Sequence, residues 1–118
     1  MKDNNQQQEQ TLSVPAIKSL CEMAVTEVEI NRCQRMITLK NRELHKKSEE
    51  LAQCAFVKRV NGDILNVQKY IDEAPKEEME EYLKVQEQME RIQEQMKTLA
   101  QCRALCVKKI KDIIWNNQ

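Results

Sequence analysis

Three residues constrain this chain more than any others. One glycine, Gly62, and two prolines, Pro15 and Pro75, are the only strong helix breakers in 118 residues. A sandwich, barrel or α/β domain needs turn residues roughly every 8 to 12 positions. Its strands also need β-branched and aromatic clusters, which a chain with 3% aromatic residues does not supply. What remains is an all-α fold, an elongated antiparallel helical hairpin or coiled coil. A charged fraction of 32%, rich in Glu, Lys and Gln, is the composition of such helices.

Residues 1–12 are polar and Gln/Asn-rich, which predicts a disordered tail. Ser13 is placed to cap a helix whose first turn holds Pro15, where the missing N–H costs nothing. A long helix is expected over 13–72, with one candidate break at 61–63. Two apolar stripes run along it. Ile17, Cys21, Ala24 and Val28 form one, while Met23, Ile30, Ile37, Leu44 and Leu51 recur at intervals of seven. Between Thr38 and Glu50 the second stripe narrows to single file, enough to hold one neighbour but not to enter a core.

A second helix is expected over 75–115. Pro75 would cost about 3 kcal/mol inside a helix but suits a helix start. Glu77, Glu78, Glu80 and Glu81 then lie at the positive end of the macrodipole. The heptads place Tyr82, Met89, Met96, Arg103 and Ile110 at one core position. Val85, Ile92, Leu99, Cys106 and Ile113 occupy the other. Nine of these ten are apolar, which predicts coiled-coil packing. Ala100, Val107 and Ile114 widen the apolar face toward the C-terminus.

The heptads allow two places of reversal. A turn at Asn61 pairs Met23 with Leu99, Ile30 with Ile92 and Ile37 with Val85. A turn at Pro75 pairs Ile37 with Ile113, Leu44 with Cys106 and Leu65 with Val85. Charge favours the first, setting the basic run Arg32 to Lys47 beside the acidic run Glu77 to Glu94. The stripe Phe56, Val60, Ile64, Val67, Ile71 reads straight through Gly62, and a helical Gly costs less than a helical Pro. On that comparison the reading leans to Pro75, which would leave residues 14–33 overhanging the hairpin.

Chemistry-bearing motifs are sparse. Cys21, Cys33, Cys54, Cys102 and Cys106 are an odd, scattered set that reads as reduced thiols. Cys102 and Cys106 form the one local pair, short of the two pairs that twin-cysteine helical hairpins need. His45 is the only histidine, so neither a metal site, a cofactor site nor a catalytic site is expected, and the chain reads as non-enzymatic. No run approaches the roughly 20 apolar residues of a membrane span. The first ten residues have no apolar region of a secretory signal, so the expected location is intracellular, in the cytoplasm, at a centrosome or in the nucleus.

These readings converge on a coiled-coil scaffold or adaptor subunit that binds partner helices through exposed heptad seams. The residues expected to carry it are Ile17, Val28, Ile30, Ile37, Met89, Ile92, Met96, Leu99, Ile110, Ile113 and Trp115. Trp115 follows two isoleucines, and Trp is favoured as an interface anchor. In architecture and composition, though in no single motif, the chain resembles small coiled-coil subunits of kinetochore, centrosomal, meiotic or vesicle-tethering complexes. Two alternatives stand beside this. One is a nucleic-acid-associated protein using basic stretches 32–47 and 97–111, against a net charge of zero. The other is a self-contained homodimeric four-helix bundle.

Overall fold

The computed structural model describes residues 13–116. The tail expected over 1–12 lies outside them. The chain is all-α, with no strand among the described residues. In chain order it comprises α1 (Val14–Ala52), α2 (Ala55–Val60), a 3₁₀ turn (Ile64–Asn66), α3 (Val67–Glu73) and α4 (Lys76–Asn116). These elements form two compact bodies. One holds residues 36–99, and the other joins the residues up to Arg35 with those from Ala100 onward.

Within residues 36–99 the chain makes an antiparallel hairpin whose closed end is built from α2, the 3₁₀ turn and α3. Its register falls between the two that the heptads allow. Phe56 packs on Tyr82 with ring centroids 5.0 Å apart, and Arg59 binds Glu78. The expected single choice between Asn61 and Pro75 is therefore replaced by two corners with a short helical cap between them. At the first corner Asn61 adopts a left-handed conformation (φ 48°, ψ 44°) and returns its N–H to the Val57 carbonyl. Gly62 follows at φ 82°, where a side chain is disfavoured. At the second corner Ala74 is extended, as a residue before proline must be. Pro75 then opens α4 by accepting the Met79 N–H.

Asp63 organises the cap. Its carboxylate accepts the Asn66 amide at 3.1 Å and the Tyr70 hydroxyl at 3.1 Å, and its carbonyl accepts the Asn66 N–H. The helix expected over 13–72, with its one candidate break at 61–63, also stops earlier, at Ala52. Cys54 is extended there (φ −63°, ψ 140°) and starts α2. No glycine or proline marks this break. Its physical reason is packing, because the kink turns Cys54 and Phe56 inward and buries both.

Within the other body, α1 up to Arg35 lies antiparallel to α4 from Ala100. Ser13 caps α1, its hydroxyl accepting the Ala16 N–H at 3.2 Å. Cys33 is buried, and so is Thr26, whose hydroxyl donates to the Glu22 carbonyl at 2.6 Å and so leaves no unpaired donor. Arg103, the one charged residue among the ten heptad positions of α4, is half-buried and donates to the Gln34 side-chain oxygen. The stretch 14–33 does not overhang as the Pro75 register implied, since Cys33 has Cys102 as a close neighbour.

Candidate functional site

The ten heptad residues of α4 are all buried or half-buried. On α1, Met23, Ile30, Ile37, Leu44 and Leu51 are all half-buried, while Ile17, Cys21, Ala24 and Val28 are all exposed. The two stripes of α1 thus divide the work. One closes the chain on itself and the other faces solvent.

This separates the residues expected to bind partners. In the 36–99 hairpin, Ile92 is buried, while Ile37, Met89, Met96 and Leu99 are half-buried in its seam. In the other body Ile30, Ile110 and Ile113 are half-buried. Apart from Ile92, each of these residues keeps part of its surface open. Ile17, Val28 and Trp115 remain open, Trp115 with 75% of its surface exposed.

The open residues of α1 form a continuous strip. Val14, Ile17, Cys21, Val25 and Val28 follow one another at three- and four-residue spacing, which places them on one helix face. Val14 is 78% exposed, Val25 70% and Val28 64%. Beside them Leu20 lines a groove with Ala16, Ser19, Met23 and Ile114. Residues 14–28 contain only three charges, Lys18, Glu22 and Glu27. A helix apolar on both its inner and its outer face is the pattern of a helix buried on both sides. Sequence reasoning found Ile17 and Val28 but not Val25, which the same spacing marks.

Three of the six basic residues in 32–47 pair with a glutamate of the same helix. Arg32 binds Glu29 at 2.7 Å, Lys40 binds Glu43 at 3.1 Å and Lys47 binds Glu50 at 3.0 Å.

A second constellation lies across the helix pair that contains Cys33. A carboxylate oxygen of Glu29 and the thiols of Cys33 and Cys102 lie within 4.8 Å of one another. Cys33 Sγ is 3.9 Å from Glu29 Oε1, and Arg32 holds the same carboxylate through two hydrogen bonds. That contact with Arg32 keeps Glu29 below the usual carboxylate range. Burial, followed by interaction with Cys102, pushes the Cys33 thiol up. Cys106 is pushed up by burial and by the nearby Cys102. Spacing along the chain shows only the Cys102–Cys106 pair. Cys33 joins it through a fold register that no sequence spacing displays.

No helix among the described residues is long and apolar enough to cross a membrane. Comparison of the chain with protein-family models, with curated proteins and with solved structures finds no match.

Proposed function

We propose that this chain is a non-enzymatic coiled-coil adaptor that seats one amphipathic helix of another protein along the outer strip of α1, from Val14 to Val28. The observation that carries the reading is the pairing of that strip's exposure with the scarcity of charge in residues 14–28. Three- and four-residue spacing suits a helix as the occupant, because knobs at those intervals fit the holes of a facing helix. An apolar partner seam that ends in an acidic residue would match the change to Arg35 at the end of the strip. Membership of a larger intracellular assembly, of the kinetochore, centrosomal or vesicle-tethering type, follows from this reading as its setting. The basic residues of 32–47 favour nucleic acid less, because Arg32, Lys40 and Lys47 each engage a glutamate of their own helix.

A photo-crosslinking residue at position 25 or 28, introduced into the full chain in cells, tests the proposal. The expected product is one discrete adduct to a helix with heptad apolar residues, lost when Ile17 is changed to Glu. Absence of an adduct overturns the reading. So does an adduct only to a second copy of the chain. Antiparallel self-pairing of this strip sets Cys21 opposite itself, so a disulfide-linked dimer through Cys21 on mild oxidation would assign the strip to self-association instead.

A further inference from the structure

The Glu29, Cys33, Cys102 and Cys106 constellation supports an inference independent of the partner strip. Each helix contributes two residues four positions apart, Glu29 and Cys33 from α1, Cys102 and Cys106 from α4. Side chains at that spacing lie on one face a turn apart, the arrangement by which a helix offers two ligands to one ion. Three of the four donors already lie within 4.8 Å of one another. Cys106 lies one helical turn from Cys102 on the same face of α4, which places it next to these three donors.

The bland alternative is a set of small packed thiols, as at Cys54, where a single thiol has the Glu81 carboxylate beside it. What distinguishes this layer is that two thiols and a carboxylate from facing helices converge within 4.8 Å, a set that attracts a cation even with Arg32 paired to Glu29. Redox sensing fits less well, because such cysteines are accessible and of low pKa. Cys33 is buried with its thiol held protonated.

We propose that Glu29, Cys33 and Cys102, with Cys106 one turn beyond Cys102 as the fourth donor, form a site for a thiophilic divalent cation of the zinc class. Thiolate and carboxylate donors select zinc over calcium or magnesium, which require oxygen cages. Tetrahedral coordination with zinc–sulfur bonds of about 2.3 Å needs sulfurs roughly 3.8 Å apart, so the three donors that lie within 4.8 Å, Glu29, Cys33 and Cys102, need to contract by about 1 Å or less. On binding, the thiols that become ligands release their protons to solvent. Glu29 offers Oε1, the oxygen facing Cys33, which Arg32 Nη2 holds at 2.7 Å and would share with the ion, while Arg32 Nε keeps Oε2 at 3.1 Å. Arg32 thereby orients the carboxylate and offsets part of the charge of the thiolate set. The ion would clamp α1 to α4 within this body.

Titration of the full, reduced chain with Co²⁺ tests the site. The expected result is one ion per chain, with sulfur-to-cobalt charge-transfer bands, tetrahedral d–d bands and displacement by Zn²⁺. Cys33→Ser and Cys102→Ser should each weaken binding more than about a hundredfold, since even partners that only orient a ligand are worth about 10- to 100-fold. Arg32→Met should weaken it about tenfold, and Cys21→Ser should leave it unchanged. Cys106→Ser, at a half-buried position, provides a variant whose retained helicity is checked by circular dichroism. Zinc should raise the melting temperature of the parent chain but not of this variant. Absence of the thiolate–cobalt spectrum in the parent, or parent affinity in both Cys33→Ser and Cys106→Ser, overturns the proposal.

Discussion

Arg59 grips Glu78 through two hydrogen bonds, Nη2 to Oε1 at 2.6 Å and Nε to Oε2 at 2.9 Å, across nineteen positions of sequence. The pair ties α2 to the first turn of α4 and so fixes the closed end of the 36–99 hairpin. The hydrogen bonds from Arg59 hold the Glu78 carboxyl below the usual carboxylate range. A depressed folded pKa contributes stability that is complete above the unfolded pKa and lost as pH falls through the folded one. The parent should therefore lose melting temperature below about pH 4.5 more steeply than Glu78→Gln, which lacks this titration. Coincident melting curves for the two proteins across pH 2–6 would exclude the contribution.

Phe56 is the largest buried side chain of the hairpin cap, and its ring meets Tyr82 at an interplanar angle of 57°. Phe56→Ala removes both the buried area and the ring pair, with an expected loss of about 3 to 5 kcal/mol. Phe56→Leu, which keeps most of the volume, should lose about 1.5 kcal/mol or less. Urea denaturation followed by circular dichroism measures both. Equal losses would mean that the site collapses around either substitution.

How this cap was built is the part that sequence reading could not reach. The seams were legible because seven-residue recurrence is a local property, and every α4 heptad residue is at least half-buried. Ser13 and Pro75 were legible for the same reason. The break at Cys54 was not, because nothing in Leu51-Ala-Gln-Cys-Ala-Phe56 disfavours a helix, and the gain that offsets it comes from Tyr82 far along the chain. Register was hidden too, since any shift by whole heptads preserves the apolar match. The thiol cluster inherits that blindness, as only the register brings Cys33 to Cys102.

Gly62 has φ 82° and nothing within 4 Å of where a Cβ would stand. A substitution there is penalised by backbone conformation alone. Gly62→Ala should cost about 1 to 2 kcal/mol, whereas Asn61→Gly, at φ 48°, should be neutral or slightly stabilising. Thermal melts of the two variants give the comparison. A Gly62→Ala protein as stable as the parent would show that the corner relaxes out of the left-handed region.

The two stripes of α1 make opposite demands on stability and binding. Ile92, buried in the seam of the hairpin, should cost about 2 to 5 kcal/mol when changed to Ala. Val25, on the outer strip and 70% exposed, should tolerate Val25→Lys within about 0.5 kcal/mol. Chemical denaturation separates them. A large destabilisation from Val25→Lys in the isolated chain would place the outer strip in a self-made core and remove it from the surface offered to a partner.

The cysteines differ in both access and acidity, and the difference is measurable without mutation. Cys21 is exposed, while Cys33 and Cys54 are buried. Burial and interaction with Cys102 raise the Cys33 thiol, and burial with the Glu81 carboxylate raises that of Cys54. Only the thiolate attacks an alkylating reagent, so both buried thiols are slowed twice, by occlusion and by protonation. Iodoacetamide at pH 8 should modify Cys21 first and Cys33 and Cys54 last, as read by peptide mass spectrometry over time. In denaturant the order should disappear. Raising the pH should speed Cys33 over a range higher than that of an unperturbed thiol, because its folded pKa lies above the unfolded value. If Cys33 reacts as fast as Cys21 in the native protein, the helix pair opens there on the timescale of labelling.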